Sequence, residues 1–190
     1  MDAVTEKSAV QGTDLLWGTT AEHEGTEVDG STKHNYNEGD AINPRTSAVP
    51  LVFKHVMSNV VVKLETTTDD ASKVTLDEAT VKITNLLTGG SVNIATGTVT
   101  ASGTAAEVPI SGETIMVPQT IGDNCKLVVT LKDGTTYSLQ INQLDSITTW
   151  ASGNKYTYTI TLQKEAVKFR ALVEAWKENS GSGNATLDWD

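Results

Sequence analysis

The clearest strand signal in the sequence is KYTYTITL, at residues 155–162. Every second residue from Tyr156 to Leu162 is aromatic or aliphatic, and the residues between them are threonines. A period of two is the pattern of a strand that buries one face and leaves the other in water. The segment therefore predicts one strand of a half-buried β-sheet.

The same alternation recurs in shorter segments on both sides of this strand. Val60, Val62 and Leu64 would share one face of a strand at residues 59–64. In residues 126–141, two alternating segments flank Asp133-Gly134, a dipeptide that supplies the positive φ angles of a tight hairpin turn. Further strands are predicted at residues 80–84, 91–94, 107–110 and 114–117. About seven short strands separated by turns predict an all-β Greek-key sandwich.

Residues 166–176 fit two patterns. As a strand, the segment would place Val167, Phe169 and Val173 on one face. As a helix, it would place Phe169, Val173 and Trp176 on one stripe, and its alanines, leucine, glutamate and lysine are good helix formers. We favour the strand.

Composition supports a sheet-rich fold and excludes several classes of protein. The 190 residues include 29 Thr and 19 Val, which are β-branched and suit a pleated surface. A net charge of -10 argues against nucleic acid and anionic membranes as partners. No apolar segment approaches the roughly 18 residues of a membrane span. The N-terminus also lacks the basic start and apolar stretch of a signal peptide.

The acidic residues are concentrated at the N-terminus, which suggests the domain organisation. Residues 1–40 contain nine Asp and Glu against two Lys. We expect residues 1–48 to form an acidic arm or loop, partly packed through Leu15–Trp17. Residues 49–178 would form the sandwich, and residues 179–190, rich in Gly and Ser, a flexible tail.

No recognisable catalytic or metal-binding pattern occurs. The three histidines have no metal-ligand spacing, and the single Cys125 cannot form an internal disulfide or a cysteine cluster. Neither a nucleophile elbow nor a phosphate-binding loop is present. We therefore expect a protein that is not an enzyme and needs no cofactor.

Several segments, in their order along the chain, resemble the fimbrillin family of type V pilins, also called the Mfa-like family. The segments are DLLW at 14–17, VPLVFKH at 49–55, SNVVVKL at 58–64, TGGS at 88–91, ATG at 95–97, VPQT at 117–120, SGNKYTYTI at 152–160, and Trp176. Together they cover roughly residues 14–177. The resemblance implies the second of two transthyretin-like β-sandwich domains.

The resemblance also implies a mechanism of assembly with other pilin subunits. Family members are exported lipoproteins of Gram-negative bacteria, found in fimbriae and at the outer membrane. A protease, often Arg-specific, removes an N-terminal strand, and the C-terminal strand of the next subunit fills the groove. By this resemblance, Arg45 is the candidate cleavage point, and the candidate donor strand contains Val167, Phe169, Leu172, Val173 and Trp176. The alternative donor is the chain end at residues 185–190.

A second hypothesis belongs to a different functional class. The sandwich would act as a monomeric adhesin or binding module that recognises a host glycan or surface protein. Loops at one end of the sandwich would provide the binding site, with Tyr36 or Trp150 as the aromatic residue facing the ligand.

Overall fold

The structure, a computed structural model, describes residues 6–19, 52–164 and 166–176. Within these residues it contains strands and one short 3₁₀ helix, and no α-helix. The strands are β1 Glu6–Val10, β2 Leu16–Thr19, β3 Val52–His55, β4 Ser58–Thr66, β5 Thr80–Asn93, β6 Val99–Ile110, β7 Glu113–Met116, β8 Gln119–Thr120, β9 Lys126–Thr130, β10 Thr136–Gln140, β11 Thr149–Trp150, β12 Asn154–Gln163 and β13 Ala166–Ala175. The all-β prediction is confirmed, whereas the Greek-key connectivity stays a prediction.

The chain divides into two compact units, and the larger one, residues 1–17 and 55–176, contains both main sheets. The first sheet has the strand order β1-β5-β9-β10, with β6 on the opposite edge of β5. Strand β9 pairs with the start of β5, at residues 80–83, and β1 pairs with its end, at residues 89–93. Two strands therefore share one edge of β5 and leave a gap between them.

Residues 6–10, which fall within the arm or loop expected at residues 1–48, form strand β1. Residues 6–10, EKSAV, pair along their whole length with β5. Only Ala9 is buried and the other four side chains are exposed, so the segment carries no apolar alternation. Backbone pairing, which leaves no trace in side-chain pattern, holds this strand in the sheet.

The second sheet has the order β13-β12-β4-β7. Strands β12 and β4 run parallel, which places Tyr156 opposite Val60 and Tyr158 opposite Val62. The ambiguous segment at residues 166–176 is a strand, β13, antiparallel to β12. The predicted hairpin is also present, with β9 and β10 joined through Gly134 at φ 87°.

The core combines the inward residues of the two sheets. Ile83 and Leu127 of the first sheet and Tyr158 of the second are fully buried in one continuous apolar cluster. A smaller cluster forms around Met57 and Ala9, with Trp176 packed against it. Both clusters contain residues from distant parts of the chain. A shift of one residue in an alternating strand would move its apolar side chains out of the core, so burial fixes the register of these strands.

Gln119 closes the gap that β1 and β9 leave on the edge of β5. Its Oε1 accepts a hydrogen bond from the Leu87 N–H at 2.9 Å, and its Nε2 donates to the Leu87 carbonyl at 2.9 Å. Nε2 also donates to the Val117 carbonyl at 3.1 Å. The side-chain amide thus takes the place of a peptide group where no strand is available. This role explains a glutamine buried within the VPQT segment.

Candidate assembly edge

Strand β13, which contains the predicted donor residues, is part of the chain's own sheet. It pairs with β12 over all ten of its residues. Val167 lies opposite Leu162, Phe169 opposite Ile160 and Val173 opposite Tyr156. Among the described residues no strand pairs with the other side of β13, which we call the outer edge.

The outer edge carries exposed apolar side chains on both faces of the strand. Leu172 is 54% exposed and its neighbour Val173 is 45% exposed. Successive strand residues point to opposite faces, and Val173 is on the same face as its buried partner Tyr156. Apolar surface beside a row of backbone donors and acceptors is chemically suited to receive another strand.

One backbone donor of the outer edge is capped by a side chain. The Ala171 N–H donates to the Oδ2 of Asp145. Asp145 follows the 3₁₀ helix Ile141–Gln143, and both it and Ser146 have positive φ angles, 49° and 59°. The local sequence of Asp145 does not predict this cap, because nothing in it indicates a partner 26 residues away.

Residues from four of the recognised segments meet where β13 ends. The rings of His55 and Trp176 stack, with centroids 3.8 Å apart and planes at 6°. The His55 Nδ1 is 2.9 Å from an Asp14 carboxylate oxygen. The Trp176 N–H donates to the Gly153 carbonyl at 2.7 Å. These contacts anchor the C-terminal end of β13 to the body of the sandwich.

Trp150 is placed differently from the ligand-facing position expected of it. Its side chain is fully buried, and its Nε1–H donates to the Tyr158 hydroxyl at 2.9 Å. Burial raises the pKa of the Tyr158 hydroxyl above its ordinary value, so this group stays protonated. The expectation for Trp150 was wrong because an aromatic residue near a strand end can equally well point into the core. Tyr36 and Arg45 lie outside the described residues.

An open pocket of about 460 Å³ lies near Trp150. It is lined by residues 96–98 of the β5–β6 turn, by Val99 at the start of β6, and by residues 118–120 and 149–152. The lining contains threonine and serine hydroxyls but no ionisable side chain. Such a pocket can form hydrogen bonds, but its lining contains no ionisable side chain that could act as a general acid or base.

Within residues 6–19, 52–164 and 166–176, no group of three or more His, Cys, Asp or Glu is placed to hold a metal ion. Nor does this part of the chain contain a helix long and apolar enough to span a bilayer. Cys125 is a buried free thiol whose pKa is raised by desolvation, which disfavours the reactive thiolate form.

Comparisons with known proteins agree with this architecture. The sequence matches the family described as Fimbrillin-like over residues 3–176. It is 28% identical over 145 residues to the putative fimbrium subunit Fim1C of Bacteroides uniformis, covering 71% of this chain and 48% of that protein.

Two crystal structures of putative cell adhesion proteins are similar in fold. The one from Bacteroides uniformis is 26% identical with a TM-score of 0.60, and covers 67% of this chain and 53% of that one. The one from Bacteroides ovatus is 22% identical with a TM-score of 0.52, and the match covers 67% of this chain and 48% of that one. The chain thus spans about half the length of these relatives.

The family match covers nearly all of the sequence, including both main sheets and the anchor at Trp176. The expected resemblance is thereby confirmed. This chain belongs to the fimbrillin-like family.

Proposed function

We propose that this chain is a structural, non-enzymatic part of a cell-surface fimbria that assembles with other pilin subunits by donor-strand exchange. The observation that carries the proposal is the outer edge of β13, with its half-exposed apolar side chains. Family membership and the likeness to a fimbrium subunit and to cell adhesion proteins support the same role. The proposed location is the outer surface of a Gram-negative bacterium.

The physical basis of such assembly is the chemistry of an open sheet. An unpaired edge leaves backbone N–H and C=O groups without partners in the sheet, and apolar side chains beside it stay in contact with water. A strand from another subunit would satisfy both at once. Proteolytic processing at Arg45, implied by the resemblance, stays a prediction.

Two segments remain as candidate donors. The first is β13 itself, with Val167, Phe169, Leu172, Val173 and Trp176. Donating this strand would break its pairing with β12 and the stack of Trp176 on His55. The second is the chain end at residues 185–190, whose donation would leave β13 in place. The cost of removing β13 from its own sheet favours the chain end.

Truncation of the native protein in fimbria-forming cells separates these possibilities. One version ends at residue 176 and keeps β13, whereas the other ends at residue 164 and lacks it. Loss of assembly in both versions identifies the chain end as donor, and loss only in the shorter version identifies β13. Equal surface export of all versions is the control. Fimbriae formed normally by both truncations would contradict donor-strand exchange from this terminus.

A monomeric adhesin is the second candidate function, favoured by the hydroxyl-lined pocket of about 460 Å³ near Trp150. Serine and threonine hydroxyls can hydrogen-bond a sugar or a peptide. Glycan-array binding by the monomeric protein, lost when Thr149 and Thr120 are replaced by Val, would support this candidate. Absence of glycan binding by the unsubstituted protein would exclude this candidate function.

A further inference from the structure

We propose that Asp145 guards the outer edge of β13, because its carboxylate occupies the Ala171 N–H and so prevents a strand of a second copy from pairing there. The contact is an autoinhibitory one between a loop and a strand of the same chain. In the free subunit the cap would keep this edge unpaired, and a donor strand that pairs there during assembly would have to displace Asp145 from the Ala171 N–H.

The alternation of an antiparallel ladder places the Ala171 amide on the outer edge. Residues of β13 point their backbone groups in turn towards β12 and away from it. The Trp176 N–H bonds to the Gly153 carbonyl on the β12 side, so the amides of the odd-numbered Ala171 and Val173 point outward. Asp145 caps the first of these two outward amides.

The backbone around Asp145 is held in an uncommon conformation that delivers the carboxylate. Asp145 and Ser146 are successive non-glycine residues with positive φ, a region that L-residues other than Asn and Asp rarely visit. The loop is fixed on both sides by apolar side chains, since Leu144 is buried in the core and Ile147 packs against it. A conformation of this kind persists only where its surroundings hold it.

The cap opposes strand addition for two reasons. An incoming strand needs the Ala171 N–H as a donor, and the carboxylate already accepts from it. An ionised carboxylate is also an acceptor only, so it offers no donor to a neighbouring strand. Natural sheets protect exposed edges with charged side chains in this way. Protection is needed here because Leu172 and Val173 make the edge apolar.

Two substitutions of Asp145 distinguish the effect of losing the cap on Ala171 from the effect of disturbing the conformation of the loop. Asp145→Gly removes the carboxylate while tolerating a positive φ, and Asp145→Asn keeps a side-chain oxygen that can accept from Ala171. Hydrogen exchange of individual amides reports the cap directly. The Val173 amide, outward but not capped by Asp145, is the internal comparison, and thermal unfolding checks that both variants fold.

In the unsubstituted protein and Asp145→Asn, we expect the Ala171 amide to exchange about tenfold or more slowly than the Val173 amide. In Asp145→Gly this protection should disappear, and light scattering on a sizing column should detect dimers that grow with concentration. The proposal is overturned if Ala171 exchanges equally fast in all three proteins, or if Asp145→Gly stays monomeric at every concentration. Neither readout requires fimbriae, so a failure of strand exchange is distinguishable from a failure of the guard.

Discussion

Replacing Gln119 with Leu should destabilise the sandwich through the loss of hydrogen bonds rather than through the loss of packing. The side chain is 9% exposed and makes three hydrogen bonds, two to the backbone of Leu87 and one to the carbonyl of Val117. Leucine has a similar size but can make none of them. A fully buried backbone group left without a partner costs about 1–3 kcal/mol, and the two groups of Leu87 are only partly buried, so we expect a loss of about 3–5 kcal/mol, in the lower half of the range for three groups. Such a loss is a large part of the roughly 5–15 kcal/mol that stabilises a typical domain.

Urea unfolding followed by tryptophan fluorescence measures this loss. The matched control is Gln140→Leu, since the Gln140 side chain donates one hydrogen bond, to the Asp123 carbonyl in an exposed position. We expect this control to lose about 1 kcal/mol or less. Equal unfolding free energies for Gln119→Leu and Gln140→Leu would refute the view that Gln119 substitutes for a missing strand.

A second substitution at the same position tests the direction of the hydrogen bonds. Gln119→Glu keeps the shape, but when ionised it places a carboxylate oxygen against two carbonyls to which Nε2 donates. Protonation restores one donor, so we expect this variant to have a low free energy of unfolding at neutral pH and to regain stability in acid. A stability deficit that does not change with pH would show that the amide donor is not needed.

Three further predictions concern the anchor, the buried tyrosine and the thiol. Gly153→Ala should cost more than Gly134→Ala in urea unfolding, by about 1 kcal/mol or more. Both glycines have positive φ, but a Cβ at Gly153 would lie 3.0 Å from the His55 carbonyl oxygen, and none would clash at Gly134; equal costs would contradict the close approach. The pKa of Tyr158 is raised in the folded state, so folding stability should fall as pH rises above about 10, where the unfolded tyrosine ionises. Tyr158→Phe should flatten that fall, and an unchanged alkaline profile would count against the buried hydroxyl. Cys125 should react with a thiol reagent only on unfolding, because it is buried and its pKa is raised; reaction of the folded protein at the rate of a free thiol would disprove this.

The strands that the sequence predicted are those whose side chains alternate between core and water. Strands β12 and β9 follow this pattern closely and bury their inward residues as expected, whereas the inward residues of β10, Tyr137 and Leu139, are only partly buried. Burial of one face selects such a pattern, so it can be recognised without knowing the partner strands.

The alternation pattern predicts two separate strands where β5 runs unbroken, and it predicts only the end of β6. The register between β5 and β6 shifts at residues 83–86 and again at 87–89, so side chains change face and the alternation is lost. Residues 102–107 of β6 are all exposed, which removes the apolar half of the pattern. Strands shaped by bulges or exposed on both faces leave no period-two signal.

The candidate edge was predictable only in part. The position of β13 as a C-terminal strand followed from its pattern and from the resemblance. The cap by Asp145 depends on a contact between residues far apart in sequence. The burial of Trp150 likewise depends on packing partners that are distant in sequence and on its hydrogen bond to Tyr158. The strand that contains Trp150 has two residues, which is too short to show an alternating pattern.

The most direct test of the central claim is the state of this protein on the cell surface. Fimbriae sheared from cells that produce the native protein would be separated on a denaturing gel before and after boiling, and probed with an antibody against the sandwich. Assembly by strand exchange predicts a ladder of polymers before boiling that collapses to one subunit band afterwards. A single monomer band under both conditions, with no label on fimbriae in electron micrographs, would contradict the proposal.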